Sequence, residues 1–295
     1  MPPTADNPMS MSPIPSFLLW LRLTRPWNVL AMGTMVALVL RWQGYPMGDL
    51  LHSGKAGWVV VPMLVGAAGN LINDYFDVRE DRINKPQKAF VGRGVKRRVV
   101  MVTHWGFSLV ACGWGAWLSH EMGSAWPVAT VAVLTAILWM YSPLLKGRGA
   151  WGNVAISLCV ASLVLWGGLL PFASTFRMQG LSIPPLMLAS ILGALNFLRE
   201  WVKDLQDIHG DRAANHRTMA SRLSPTQNRV GLMVGATLTT AFSLGWMAWQ
   251  AAHWGCLIGT AVAGVACTWL AFRGNHRRLS AWMKLWMGLL FWPLL

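Results

Sequence analysis

Apolar runs recur along the whole chain, each close to the ~20 residues that an α-helix needs to cross a bilayer. Nine such runs are predicted as transmembrane helices, at about 17–40, 56–76, 99–119, 124–144, 150–171, 183–205, 228–250, 254–272 and 279–295. The last is short. The pattern predicts an all-α membrane protein in which nine transmembrane helices form one bundle, spanning residues 17–295 as one domain. A soluble chain of this length would be expected to hold two domains. Ahead of the bundle, residues 1–16, "MPPTADNPMSMSPIPS", are Pro- and Ser-rich with no basic start. That composition predicts a disordered leader and not a cleaved signal peptide.

Composition agrees with lipid as the solvent. Of 295 residues, 54% are hydrophobic and 12% are charged, about half the charged fraction of soluble domains. The net charge of +14 raises the question of nucleic acid, but the positions of the charges answer it. Arg82, Lys85, Lys88, Arg93, Lys96, Arg97, Arg98, Lys146, Arg148, Arg212, Arg217, Arg222, Arg229, Arg273, Arg277 and Arg278 fall in alternate connections. The opposite connections hold Arg41, Lys55 and Arg177. This is the positive-inside asymmetry; it places the N-terminus and the basic loops in the cytoplasm and the C-terminus outside. The partner of these charges is then anionic lipid rather than nucleic acid, and the sequence gives no sign of an obligate protein partner. The four cysteines, Cys112, Cys159, Cys256 and Cys267, lie inside predicted helices without CxxC spacing and read as free, small apolar residues.

The acids are where the chain departs from a plain bundle. Of eleven Asp and Glu, four fall in "NLINDYFDVREDRINKP" (70–86) and four in "REWVKDLQDIHGDR" (199–212). Asp74, Asp77, Asp81 and Arg82 repeat the spacing of Asp204, Asp207, Asp211 and Arg212. Each motif closes an outside-to-inside helix and precedes a basic loop. A four-helix internal duplication, with the first helix added, accounts for the match and sets the two motifs face to face. Steps of three and four stack Asn70, Asn73, Asp74, Asp77 and Asp81 on one helix face, and Glu200, Asp204, Asp207 and Asp211 on another. Carboxylates stacked so closely repel and are costly near hydrocarbon unless something positive pairs with them. Loop Lys and Arg could do so; two matched rows favour a hard divalent cation, and Mg²⁺ takes one or two carboxylates together with waters and phosphate oxygens. A cation-coupled transporter is the reading from another class. It would more often place single acids near the midplane.

"NDYFDVRED" (73–81) resembles the first aspartate-rich motif of the UbiA superfamily of intramembrane prenyltransferases, and "KDLQDIHGD" (203–211) resembles its second. "YSPLLK" (141–146) is similar to its tyrosine–lysine element and "RLTRPWN" (22–28) to its first-helix start. Within the superfamily, "REWVKDLQDIHGDRAANHRT" is most like the branch that includes digeranylgeranylglyceryl-phosphate synthase, with Gln206 and His209 where acids are frequent in that branch.

The resemblance implies Mg²⁺-dependent transfer of a prenyl group, of geranylgeranyl type, from an isoprenyl diphosphate to a glycerol-phosphate lipid hydroxyl. An aromatic, quinone-precursor acceptor is the alternative. It implies a multi-pass protein of the cell's inner or plasma membrane with a cytoplasmic active site. Asn73, Asp74, Asp77 and Asp81 would then serve one metal site, and Asp204, Asp207 and Asp211 the other. These six aspartates are the expected catalytic set. Asn70, Arg82, Lys88, Arg93, Tyr141 and Lys146 are the expected diphosphate ligands. Asn28, Asn196, Arg199 and Lys203 are the expected acceptor ligands, with Arg25 nearby. The basic segments 82–98 and 208–227 read as long loops that close over substrate.

Overall fold

The structure is a computed structural model; it describes residues 16–51, 54–168, 183–250 and 252–294. All of the expected leader except Ser16 lies outside the described residues. The chain forms α1 (Ser16–Thr24), α2 (Pro26–Trp42), α3 (Gly57–Phe76), α4 (Val78–Asn84), α5 (Arg97–Met122) and α6 (Trp126–Met140). It continues through α7 (Trp151–Gly168), α8 (Ile183–Ala213), α9 (Met219–Arg222), α10 (Pro225–Trp249), α11 (Trp254–Phe272) and α12 (His276–Leu289). Two-residue strands β1 (Arg148–Gly149) and β2 (Arg217–Thr218) pair in parallel and tie the segment after α6 to the segment after α8.

Several boundaries differ from the periodicity, each for a local reason. The first run is two helices, broken at Arg25, whose backbone is left-handed at φ 54°. Pro26 donates no N–H and disfavours the helical conformation in the residue before it. The loops expected at 82–98 and 208–227 are shorter, because α4, the end of α8 and α9 take up part of them. α10 starts on a capping box, with Ser224 Oγ accepting from Gln227 N and the Gln227 side chain accepting from Ser224 N, which satisfies donors that a helix start leaves open.

Among the described residues, seven stretches are long and apolar enough to cross a membrane: 16–42, α3, α5, 126–145, α7, α10 and α11. The two remaining expected spans fall outside that set. α8 is 31 residues long, but from Arg199 onward it carries the charged row, and α12 has 14 residues. The long helices turn large apolar side chains outward; Val102, Leu109, Leu238 and Val265 are about two-thirds exposed. Exposure on that scale suits a lipid surround and would be a liability in water.

Inside are three apolar clusters among the described residues: a small one around Leu23, Leu71 and Val100, and two larger ones. One is built from α2, α3, α5, α6 and α7, around Val36, Leu40, Trp58, Leu118 and Trp166. The other is built mainly from α8, α10, α11 and α12, around Leu192, Leu195, Trp246, Cys267 and Trp286. In lipid such contacts are held by close packing and by satisfied polar atoms rather than by exclusion of water. The Trp166 indole shows both, lying 5.1 Å from the Trp58 ring and donating to Trp58 O at 2.7 Å. All four cysteines are free, and Cys256 and Cys267 are buried, as their apolar settings predict.

Candidate functional site

The two acidic rows meet at one end of the bundle, but only the second lies on a single helix. Glu200, Asp204, Asp207 and Asp211 share the uninterrupted α8. The first row bends. α3 ends at Phe76, the Asp77 N–H donates to Asn73 O at 2.9 Å, and Asp77 then opens α4. Asn70, Asn73 and Asp74 therefore sit on α3 and Asp81 on α4. The bend lays α4 across the end of α8, and Asn84 fixes it there. The Asn84 amide donates to Asp207 O at 3.0 Å and accepts from Gly210 N at 2.9 Å. A Cβ at position 210 would run into that amide, with the Asn84 Cγ 2.6 Å away. Gly210→Ala is therefore expected to cost about 1–3 kcal/mol through overpacking. A thermal melt of the purified protein in detergent reads it; an unchanged midpoint would show that α4 does not depend on this clamp.

Each row is paired with cations from another element. Lys146 Nζ donates to Asp77 Oδ2 at 2.7 Å, Lys85 Nζ to Asp207 Oδ2 at 2.7 Å, and Arg25 Nη2 to Asp74 Oδ1 at 2.6 Å. Asn153 of α7 donates to Asp204 Oδ2 at 3.0 Å. Ser142 Oγ donates to Asn73 Oδ1 at 3.3 Å. Lys146 follows a π-helical turn, Tyr141–Leu145, which contains Pro143. A proline N–H cannot join the helical ladder, and such turns frequently mark functional sites. Tyr141, at its start, is buried. Arg25 holds its left-handed backbone while its guanidinium is pinned to Asp74; strain of this kind persists where the surroundings fix it.

Crowding shows in the charges. Burial, followed by the neighbouring Asp74 and Asp77 carboxylates, pushes Asp81 up to about 6. One oxygen of Asp211, Oδ1, is buried without a hydrogen-bond partner. Both features fit an acceptor set in want of a cation. Among the described residues, no three His, Cys, Asp or Glu side chains converge tightly enough to form a complete metal cage.

The expected diphosphate ligands divide. Lys146 and Tyr141 are placed with the rows. Lys88 lines a pocket of about 10 Å³ together with Asp74 and Asp81. Asn70 donates to Thr24 O at 3.0 Å and ties α3 to α1. Arg82 and Arg93 are exposed, and neither makes an ion pair among the described residues. Glu80 is buried and turns to His216, with Oε1 and Nδ1 3.6 Å apart. Glu200 leaves the second row as well, pairing with Arg199 at 2.7 Å and Lys203 at 3.3 Å. Sequence reasoning missed Asn84, Lys85 and Asn153. Lys85 lay inside the first acidic stretch but had been counted only as a topological charge.

Beside the rows a cavity of about 600 Å³ opens between α2, α3, α6, α7, α8 and α12. Its polar lining sits at one end: Arg25 and Asn28 at the start of α2, Asn70 and Asn73 late in α3, and Asn196, Arg199, Glu200 and Lys203 on α8. The rest is mostly apolar, with Met32, Leu38, Val61, Leu134, Leu163, Trp166 and Phe291 among its walls, and Lys284 comes to it from α12. A charged head and a greasy tail would fit it end to end, and the volume is in the range of small-molecule sites. All four expected acceptor ligands, Asn28, Asn196, Arg199 and Lys203, line it.

A many-helix bundle with an apolar exterior and two acid rows over an amphipathic cavity describes a class of intramembrane enzyme acting on charged lipids. The chain belongs to the UbiA prenyltransferase family, whose pattern it matches over residues 30–295. It is 32% identical over 247 residues to digeranylgeranylglyceryl phosphate synthase of Methanoregula boonei, covering 83% of this chain and 80% of that one. It is 32% identical over 200 residues to the protein of that name from Halobacterium salinarum, covering 67% and 66%. A solved structure from work on "the biosynthesis of Digeranylgeranylglyceryl phosphate synthase in membranes" superposes with a TM-score of 0.68 at 18% identity, covering 95% of this chain and 97% of that one. A UbiA homolog from Aeropyrum pernix K1 gives 0.65 at 12% identity, covering 89% and 95%. The chain is thus a prenyltransferase and a multi-pass integral membrane protein, and the transporter reading falls.

Proposed function

We propose that this protein transfers a geranylgeranyl-type prenyl group from its diphosphate to the hydroxyl of a glycerol-phosphate lipid, with Mg²⁺, at the cytoplasmic face of the membrane. The observation that carries the reading is that both rows border the polar end of the cavity through Asn70, Asn73 and Glu200, with Arg25 beside them, while most of the remaining lining is apolar. The names of the relatives, digeranylgeranylglyceryl phosphate synthase, support the glycerol-phosphate acceptor; an aromatic acceptor finds no support among them. The basic connections support the cytoplasmic placement. α8 and α12 would supply the two spans that complete nine. The two larger apolar clusters, one mainly of α3, α5, α6 and α7 together with α2 and the other mainly of α8, α10, α11 and α12, support the internal duplication.

Asn73, Asp74, Asp77 and Asp81 on one side, with Asp204, Asp207 and Asp211 on the other, would hold divalent ions. An ion held there would supply charge stabilisation for a departing diphosphate. Lys146, Lys85 and Arg25, which pair with these carboxylates, would donate to the diphosphate oxygens; Tyr141 and Lys88 stand beside them, and Arg82 and Arg93 would act from the loop. The prenyl tail lies along the apolar wall formed by Met32, Leu38, Leu134 and Trp166. Asn28, Asn196, Arg199 and Lys203 hold the acceptor so that its hydroxyl oxygen, and no water, meets the allylic carbon.

Protonation supplies one check. Asp81 takes up a proton near pH 6 in the absence of metal, and a metal must displace it, so Mn²⁺ affinity is expected to fall by up to about tenfold per pH unit below that value. Titrating Mn²⁺ at pH 5, 6 and 7 reads this; equal affinity at all three would remove Asp81 from the ion's surroundings. The reaction itself is tested with labelled geranylgeranyl diphosphate, Mg²⁺ and a panel of acceptors. Labelled product with geranylgeranylglyceryl phosphate is expected. Product only with aromatic acids would keep the family and overturn the acceptor.

A further inference from the structure

α12 brings to the cavity a charge that neither acid row uses. Beyond its first turn, which holds His276, Arg277 and Arg278, α12 carries Lys284 as its one charge, with Met287, Gly288 and Phe291 continuing the same cavity-lining stripe at helical spacing. Among the described residues Lys284 makes no hydrogen bond or ion pair, yet it is within electrostatic reach of Arg199, Lys203, Arg25 and Glu200. An exposed ammonium on the cavity wall without a partner is open to an anionic ligand.

Charge balance narrows the ligand. Arg25 is matched by Asp74. Arg199 and Lys203 share the single carboxylate of Glu200, and Lys284 has none. Three cations against one carboxylate leave an excess of two positive charges at one end of the cavity. Two buried donors there are also unpaired: Asn196 Nδ2, on a side chain 4% exposed, and Arg199 Nε. Unpaired buried donors carry the full cost of desolvation, and here they line the cavity beside the excess charge. A carboxylate would neutralise half of that excess. A phosphate monoester carries about −1.5 to −2 at neutral pH and offers three acceptor oxygens.

We propose that Lys284 completes a phosphate-monoester subsite with Asn196, Arg199 and Lys203, and that this subsite makes the enzyme select acceptors with a terminal phosphate. The inference rests on the glycerol-phosphate reading and adds α12 as the element that sets specificity. Binding to the head group is distinct from the diphosphate chemistry at the acid rows, so the two sites can be separated by experiment.

The test compares the full chain in detergent with Lys284→Met and Lys284→Arg. In the kinetic arm, Lys284→Met is expected to raise KM for geranylgeranylglyceryl phosphate about tenfold or more, with kcat and the diphosphate KM little changed. Turnover of the dephosphorylated acceptor should be unaltered, and Lys284→Arg should keep most of the selectivity. In the binding arm, with EDTA to silence the acid rows, the phosphorylated acceptor should raise the thermal midpoint of the wild type but not of Lys284→Met. Inorganic phosphate in the same arm separates a lipid-borne monoester from a free one: a shift with both places recognition in the phosphate alone, and a shift with the lipid alone requires the tail as well. Stabilisation of a wild type that makes no product with this acceptor, absent from Lys284→Met, would overturn the reaction and keep the subsite. Equal KM increases for both acceptors, or stabilisation that survives Lys284→Met, would overturn the subsite.

Discussion

Asp77→Asn and Asp207→Asn are each expected to lower kcat by about 10²–10³-fold or more, the scale seen when one preorganised electrostatic contact to a developing charge is removed. The two residues come from different rows, yet each is held by a lysine at 2.7 Å, Lys146 and Lys85. The amide keeps the shape and the hydrogen-bonding reach of the carboxylate but loses the charge that a metal requires. Binding of the prenyl tail, which lies in the apolar cavity, should change little, so the loss appears in kcat. Single-turnover assays with labelled diphosphate measure it. Equal damage from both variants is the important result, because it requires the rows to act on one diphosphate. A defect confined to one row would make the second a structural element.

Lys146→Met carries the second large effect, on stability as well as rate. The Lys146 and Asp77 side chains are 14% and 17% exposed. Removing one member of a buried pair leaves the other charged and unpaired, at a cost of about 3–5 kcal/mol. The double variant Lys146→Met with Asp77→Asn removes both charges, so much of that stability should return. Activity should not, because both groups would serve the diphosphate. Melting points and initial rates of the two single variants and the double form a cycle that separates the roles. Recovery of rate together with stability would show that Lys146 only holds Asp77.

What the sequence carried well was local. The two Asp rows were legible because helical spacing puts i, i+3 and i+4 on one face wherever the helix runs, and α8 preserves this from Glu200 to Asp211 without a break. The first row was read as equally straight; its bend at Asp77 has no proline or glycine to announce it, and it follows from the docking of α4 onto α8 through Asn84. Pro26 did announce the break at Arg25, but a continuous apolar run masked it. The partners of the rows were not legible at all. Lys85 and Asp207 are 122 positions apart, and Lys146 and Asp77 69, so only the packing of separate helices brings them together. Lys284 is the extreme case. In sequence it is one charge in a Trp-rich terminal helix, and only the cavity wall gives it neighbours.

The account stands on both acid rows holding ions for one diphosphate, and metal binding reads that without turnover. Electron paramagnetic resonance of Mn²⁺ would be recorded on the purified protein with a non-hydrolysable prenyl diphosphate analogue, alongside Asp77→Asn and Asp207→Asn. Mn²⁺ is expected at each row, coupled to the other through the shared diphosphate, with each variant losing one ion and the coupling. Mn²⁺ binding that is absent with the analogue present, or untouched by either substitution, would contradict it.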